Sequence, residues 1–302
     1  MTAYEASPVK RQRSTNAQLD VIDQAIIQAV EDDHPVSLRG VFYRVVSAGA
    51  IEKTEEGYDL IGRQLLKLRR AGAVPYSSIT DGTRYILRPR TNNDIEEMLT
   101  DAAASYRRAL WHDQQVDVII VSEKDAITGI LDPVTDQWDV PLCICRGYGS
   151  ETFAYSVAQS IHGAMREGKE VYVYQFGDHD PSGVDAWKSF AERIDGFVRG
   201  WAHGQSSAHY ERLAVTENQI VQLSLPTRPT KKTDSRAKGF AGESVEVDAI
   251  PASILRQIAN EAIVRHIDQD ALRLTRVAED SERLVLTAMA GSLAGRDDPL
   301  PF

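Results

Sequence analysis

The stretch VYVYQFGDHDPSGVDAW, residues 171–187, indicates both the fold class and the place where charged side chains are concentrated. Its β-branched and aromatic half predicts a buried strand, and the amphipathic residues that follow Pro181 predict a helix. Asp178 and Asp180 stand where the strand ends. Because two neighbouring carboxylates repel each other, we expect a cation to hold them.

Strands alternate with helices throughout the middle of the chain. Strands are predicted at 116–123, 140–145 and 170–176, with a helix after each of them. This order implies a parallel, Rossmann-like sheet covered by helices, which is an α/β fold. A further strand is predicted at 243–250, and two amphipathic helices are predicted beyond it.

The first 90 residues are predicted to form a separate, mostly helical unit. Helices are predicted over 17–33, 38–49 and 54–72, and a short β-ribbon is predicted around Asp81-Gly82. Three helices followed by a hairpin are the order of a winged helix-turn-helix, which places its third helix in a DNA groove. We therefore predict a winged-helix domain over 1–90, a helical connector over 91–115 and an α/β domain over 116–302.

Basic residues concentrate in the N-terminal unit, although the chain carries a net charge of −10. Residues 61–90 contain Lys67 and six arginines against one acidic residue, Asp81. A local basic patch can contact DNA phosphates without a general attraction to nucleic acid, whereas a solvated helix face is the alternative interpretation. The candidates for DNA contact are Arg44, Arg63, Lys67, Arg70 and Arg84.

Carboxylates are predicted to meet at one edge of the sheet. Glu123 ends an earlier strand, and the carboxyl ends of parallel strands lie at the same edge, so Glu123 should approach Asp178 and Asp180. Three hard oxygen ligands without histidine or cysteine suit Mg²⁺, or Mn²⁺. Two other interpretations of DHDPSG stay open: a phosphatase with Asp178 as nucleophile and Asp180 as acid, and a plain Asp-Pro turn.

The acidic pattern resembles that of a known family. A Glu at the end of one strand and D-x-D-P-x-G after another, here Glu123 and residues 178–183, resemble the TOPRIM domain of topoisomerases and primases. With GYG at 147–149, the chain is similar specifically to the A subunit of type IIB DNA topoisomerase VI and to the related meiotic double-strand-break protein. LRGVFYR at 38–44 is similar to the family segment R-D-x-[FY]-Y, with Gly40 in place of the aspartate.

The resemblance implies a fold, an activity and the residues that carry it. The fold would combine an N-terminal winged helix with a C-terminal TOPRIM domain. The activity would be DNA cleavage, with Tyr43 as the nucleophile and with Arg39 and Arg44 as the cations that stabilise the developing charge. The metal, Mg²⁺ or Mn²⁺, would be held by Glu123, Asp178 and Asp180.

The implied partners are double-stranded DNA and a second copy of the chain. The resemblance implies a dimer that pairs the tyrosine of one chain with the metal site of the other, and a separate ATPase subunit is a further potential partner. Short A-subunit-like proteins without that subunit occur in mobile elements, and this chain resembles them. Two other functions stay open: a TOPRIM nuclease that uses metal-activated water, and a DNA-binding protein that does not cleave.

Composition predicts a cytoplasmic protein without a membrane segment, and the DNA binding that the resemblance implies would associate it with the nucleoid. No window approaches about 18 consecutive apolar residues, and the polar N-terminus lacks the apolar core of a secretory signal. Cys143 and Cys145 are the only cysteines, and their spacing fits neither a disulfide framework nor a zinc knuckle. We expect them to be reduced thiols in the core.

Overall fold

The computed structural model describes residues 15–80, 88–147, 149–229, 240 and 243–293. Within these ranges the chain is a mixed α/β protein with a four-stranded parallel sheet, which confirms the predicted fold class at this level. The assignment of its two parts as winged-helix and TOPRIM domains stays a prediction.

The N-terminal part contains three helices and a short pair of strands. The helices are α1 (Asn16–Asp33), α2 (Leu38–Ser47) and α3 (Glu55–Arg70). The strands, which pair in parallel, are β1 (Val36–Ser37) and β2 (Ile79–Thr80). Ser37 and Thr54 cap α2 and α3 by accepting backbone hydrogen bonds, as their positions in the sequence predict. The predicted ribbon around Asp81-Gly82 lies outside the described residues.

Four parallel strands form the central sheet. They are β3 (Val116–Ser122), β4 (Leu142–Ile144), β5 (Glu170–Phe176) and β6 (Ala208–Ala214). Their order across the sheet is β4-β3-β5-β6, and β3 pairs with β5 along its full length, from Val116–Glu170 to Ser122–Phe176. This register brings the residues that follow β3 and β5 to the same edge of the sheet.

Helices cover both faces of the sheet. Further along the chain the helices are α4 (Ile95–Ser105), α5 (Thr128–Gln137), α6 (Glu151–Arg166), α7 (Pro181–Trp201), α8 (Glu217–Gln222), α9 (Ala252–Val264) and α10 (Gln269–Leu293). Ile119 and Val121 of β3 pack with α6 and α7, whereas Val118 and Ile120 belong to the core that includes α5 and α9. In the described ranges, none of the helices combines the length and the hydropathy that a membrane span requires.

The N-terminal helices share a hydrophobic core with the sheet. Ile26 of α1, Val41 of α2 and Ile61 of α3 are fully buried, and they belong to the same apolar cluster as Ile120 of β3 and Leu255 of α9. The two parts of the chain are therefore packed together, and side chains of α2 can reach the edge of the sheet.

The strand predicted at 243–250 is wrong. Only isolated bridges occur there, between Val245 and His179 and between Ser244 and Arg228, and a short 3₁₀ helix follows at Val247–Ala249. All residues from Ser244 to Ile250 are buried, so this segment enters the core on every side without joining a sheet ladder.

Candidate functional site

The structure brings the three predicted carboxylates to one edge of the sheet. Glu123 follows β3 directly, and its backbone N–H donates to the carbonyl of Phe176, the last residue of β5, at 3.0 Å. Asp178 and Asp180 follow β5. Burial raises the pKa of Glu123, and the charges of Asp178 and Asp180 raise it further. The three groups therefore lie within electrostatic reach of one another.

Asp180 also has a structural role at the start of α7. Its Oδ1 accepts hydrogen bonds from the Gly183 N–H and the Ser182 hydroxyl, both at 2.8 Å, and Pro181 occupies the first turn. Burial would raise the pKa of Asp180, but these hydrogen bonds and Arg228 lower it. The Oδ2 of Asp180 lies 3.5 Å from Arg228. The motif D-P-S-G is thus a capped helix start that holds a carboxylate at the sheet edge.

Lys124 supplies a cation to three carboxylates. Its Nζ lies 2.9 Å from Asp178, 3.1 Å from Glu246 and 3.2 Å from Asp248. Burial alone would lower the pKa of Lys124, but the three carboxylates raise it, so the ammonium group remains charged. The other oxygen of Asp178 accepts a hydrogen bond from the Val247 N–H at 2.9 Å. Both oxygens of Asp178 are therefore satisfied within the chain.

The sequence analysis did not name Lys124, Glu246 or Asp248 as site residues. The signals for them were the lysine directly after Glu123 and two acidic residues at alternate positions of an otherwise apolar segment. Burial of the intervening Val247 directs the chain so that both acidic side chains reach Lys124.

One oxygen of Glu123 is buried without a hydrogen-bond partner in the described part of the chain. This atom, Oε2, lies beside Gly177 and Gly183. A Cβ atom at Gly177 would lie 2.7 Å from it, and one at Gly183 would lie 3.1 Å from it and 2.7 Å from the Asp178 carbonyl oxygen. Both glycines are therefore needed where the backbone approaches this carboxylate.

Glu123, Asp178 and Asp180 are only partly arranged to bind a metal ion. The unpartnered Oε2 of Glu123 and the all-oxygen donor set suit a hard cation such as Mg²⁺. However, Lys124 pairs with Asp178 and Arg228 lies near Asp180. Across the described ranges, no group of three or more histidine, cysteine, aspartate or glutamate side chains is arranged to hold a metal ion. The Mg²⁺ or Mn²⁺ assignment stays a prediction.

Tyr43 lines a cleft of about 700 Å³ together with Phe42, Lys53, Tyr58 and Glu246. Within the described residues, the Tyr43 hydroxyl has no hydrogen-bond partner, and the Lys53 Nζ lies 5.0 Å from the centre of the ring. Burial raises the pKa of Tyr43, and Glu246 raises it further. The phenol is therefore neutral at neutral pH.

Arg39 connects this cleft to the acidic cluster. It precedes Tyr43 by one helical turn on α2, and its Nη1 lies 2.5 Å from the Oε2 of Glu246, which is also bound by Lys124. Arg39 and Lys124 both lower the pKa of Tyr43 and so oppose the effect of Glu246. A continuous series of charged contacts thus joins the tyrosine-bearing helix to Asp178 within one chain.

Gly40 lies on α2 where an added side chain would have little space. A Cβ atom at Gly40 would lie 2.7 Å from Cγ2 of Val36, which is buried in the core. Any side chain at this position would require Val36 to move.

Arg44 does not lie with Tyr43 in the cleft. Its Nε lies 3.0 Å from Asp33 at the end of α1, and its Nη2 lies 3.8 Å from Asp32. One residue along a helix rotates the side chain by about 100°, which turns Arg44 toward α1. In this arrangement Arg44 lies with α1, and Lys53 is the cation beside the Tyr43 ring. A role of Arg44 in assisting Tyr43 stays a prediction.

The predicted cations of α3 lie on its outer face. Arg63, Lys67 and Arg70 are exposed, while Ile61 and Leu65 pack inward. The Nζ of Lys67 lies 3.2 Å from Asp23 of α1. Arg84 lies outside the described residues. The contact of these cations with DNA stays a prediction.

Comparisons with known proteins add no family assignment. No protein-family model matches the sequence, and no match was found among curated proteins. The function must therefore be argued from the residues themselves.

Proposed function

We propose that this chain is a topoisomerase-like enzyme that cleaves DNA through a covalent bond between Tyr43 and a phosphate. The observation that carries the proposal is the position of Tyr43, which lines a cleft together with two cations, Arg39 and Lys53. A phosphate that entered the cleft would meet both cations beside the tyrosine ring.

The proposed step exchanges one ester bond for another. The Tyr43 oxygen bonds to phosphorus while the bond from phosphorus to the 3′ oxygen breaks. The phenol proton passes to solvent, and the 3′ oxygen takes up a proton from solvent. Arg39 and Lys53 would stabilise the phenolate and the charge that develops on the phosphate oxygens. Because one phosphodiester replaces another, the break could be resealed by the reverse step.

Glu123, Asp178 and Asp180 would hold Mg²⁺ or Mn²⁺ in this proposal. When bound, the metal would stabilise negative charge on the reacting phosphate. The free oxygen of Glu123 supports this role. Asp178 and Asp180 would have to release contacts with Lys124 and Arg228, so metal binding and rearrangement of these two cations are linked.

The proposed partners are double-stranded DNA and a second copy of the chain, since a double-strand break needs two tyrosines. A separate ATPase subunit is a further partner within the proposal, and a nucleoid location would follow from DNA binding. The resemblance implies that tyrosine and metal site come from different chains. The contacts of Arg39 and Lys124 with Glu246 instead favour a site in which both come from the same chain.

Two other functions each have an observation in their favour. A nuclease that uses metal-activated water is favoured by the burial of Tyr43, which is only 4% exposed. A DNA-binding protein without cleavage is favoured by Lys124 and Arg228, which neutralise two of the three carboxylates.

Supercoiled plasmid incubated with the chain and Mg²⁺ or Mn²⁺ tests these functions. The proposal predicts nicked or linear DNA that enters a gel only after protease treatment and is lost in both Tyr43→Phe and Asp178→Asn. Tyr155→Phe, an exposed tyrosine on α6, is the control and should cleave normally. Cleavage that persists in Tyr43→Phe would indicate the water-dependent nuclease, and binding without cleavage would indicate the third function.

A further inference from the structure

The carboxylate of Glu246 is enclosed by cations from three separate segments. Its Oε2 lies 2.5 Å from Arg39 and 3.1 Å from Lys124, and its Oε1 lies 3.2 Å from Arg228. Only 9% of the Glu246 side chain is exposed. Burial would raise the pKa of Glu246, but Lys124 and Arg39 lower it to about 2. Glu246 is therefore a buried, fully ionised anion.

The three cations would form an anion site if Glu246 were absent. Among the described residues, Arg39 makes no ion pair other than the one with Glu246, so its charge would be uncompensated. Arg228 would keep one contact, at 3.5 Å from Asp180. Arginine guanidinium groups are suited to the paired oxygens of carboxylate and phosphate alike. Lys124 would add a third cation, although its charge is shared with Asp178 and Asp248.

This cation cage opens onto the cleft of Tyr43, because Arg39, Arg228 and Glu246 all line it. A carboxylate and a phosphodiester each present two anionic oxygens on a single atom, so the two groups can occupy the same cage. Glu246 stands between the buried residues Val245 and Val247. Its backbone is therefore fixed, and exchange with another anion would involve rotation of the side chain.

We propose that the cage of Arg39, Lys124 and Arg228 binds a DNA phosphate, and that Glu246 occupies it as an internal substitute for that phosphate in the free chain. This inference rests on the proposed function for the identity of the anion, a phosphodiester. Entry of DNA would displace Glu246 and place a phosphate beside Tyr43, in contact with the cations of the cage. Glu246 would thus neutralise these cations until a DNA phosphate takes its place.

Binding of inorganic phosphate, measured by calorimetry, tests the cage without any cleavage. Glu246→Gln keeps the size of the side chain and removes its charge, so phosphate should bind about tenfold more tightly, or better, than to the unaltered chain. Adding Arg228→Gln to that variant should abolish the gain. Glu279→Gln is the matched control, since Glu279 is a partly buried carboxylate on α10 that pairs with Arg283, and it should leave phosphate affinity unchanged.

Equal phosphate affinity of the unaltered chain and Glu246→Gln would overturn the proposal, as would a gain that survives Arg228→Gln. If Glu246→Gln fails to fold, chemical modification of the unaltered chain still tests the proposal. Phosphate at saturating concentration should protect Arg39 and Arg228, whose side chains are 43% and 39% exposed, from phenylglyoxal, as read by peptide mass. Lack of protection would refute the cage.

The cage and the proposed function can fail separately. If phosphate binding responds to Glu246→Gln but no tyrosyl–DNA adduct forms, the anion site stands and the cleavage mechanism is wrong. If the adduct forms and phosphate binding does not respond, the cleavage mechanism stands and the cage is wrong.

Discussion

Replacing Lys124 with methionine should destabilise the fold, because it removes the cation that three buried carboxylates share. Lys124 contacts Asp178, Glu246 and Asp248, whose side chains are 12%, 9% and 0% exposed. Removing one partner of a buried ion pair costs about 3–5 kcal/mol. Because 22% of the Lys124 side chain remains exposed, we expect the lower end, about 3 kcal/mol. The melting temperature should fall by about 5–10 °C.

The pH dependence of this loss has a defined sign. The pKa of Glu246 is lowered to about 2 in the folded chain, so its ion pairs stabilise the fold above its ordinary pKa and lose this effect as the pH falls toward 2. The difference between the unaltered chain and Lys124→Met should therefore be largest near neutral pH and shrink below about pH 4. Thermal unfolding monitored by circular dichroism at several pH values measures both quantities.

Mg²⁺ should compensate for the missing lysine. Without Lys124, Asp178, Glu246 and Asp248 are carboxylates without their shared cation, and a ligand that binds only the folded state raises its stability. Mg²⁺ should therefore raise the melting temperature of Lys124→Met more than that of the unaltered chain. Lys188→Met is the control, since this lysine is 75% exposed and its pair with Glu192 is at the surface; it should change stability by less than about 1 kcal/mol. If Lys124→Met were as stable as this control at neutral pH, the role assigned to Lys124 would be refuted.

Three further predictions concern other parts of the chain. Mixing Tyr43→Phe with Asp178→Asn should not restore plasmid cleavage, because each chain would lack one half of a site built within one chain; restored nicking would show that the halves come from different chains. Burial raises the pKa of Cys143 to about 11 and that of Cys145 to about 12, so alkylation by iodoacetamide at neutral pH should be much slower than for an exposed thiol, as mass spectrometry can measure. Asp33→Asn should lower the free energy of unfolding by about 2 kcal/mol, because it neutralises a 1% exposed carboxylate that accepts a hydrogen bond from Ser253 and pairs with Arg44, which is itself 34% exposed; urea titration measures this, and an unchanged midpoint would contradict it.

The sequence rules succeeded where the side chains follow from backbone position. Glu123, Asp178 and Asp180 could be placed together because parallel strands end at one edge, whatever the rest of the fold. Ser37 and Thr54 could be identified as caps because a cap depends only on its own helix. The caps depend on residues close in sequence, and the placement of the carboxylates depends only on the parallel arrangement of the strands before them.

The sequence rules failed where tertiary packing decides. The segment at 243–250 has the alternation of a strand, but its buried residues enter the core without a ladder partner. No strand is predicted at β6, because His209 and Glu211 are polar residues on an exposed edge. Lys124 reaches carboxylates 54 or more residues away along the chain, and no local pattern encodes such contacts.

The most direct test of the central claim is the mass of the peptide that carries Tyr43 after incubation with DNA and Mg²⁺ or Mn²⁺. Denaturation, nuclease digestion of the DNA and trypsin treatment should yield GVFYR, residues 40–44, with a nucleotide attached to its only tyrosine. The same peptide without an added nucleotide, in a reaction where the DNA has been cut, would contradict the covalent mechanism and assign cleavage to water.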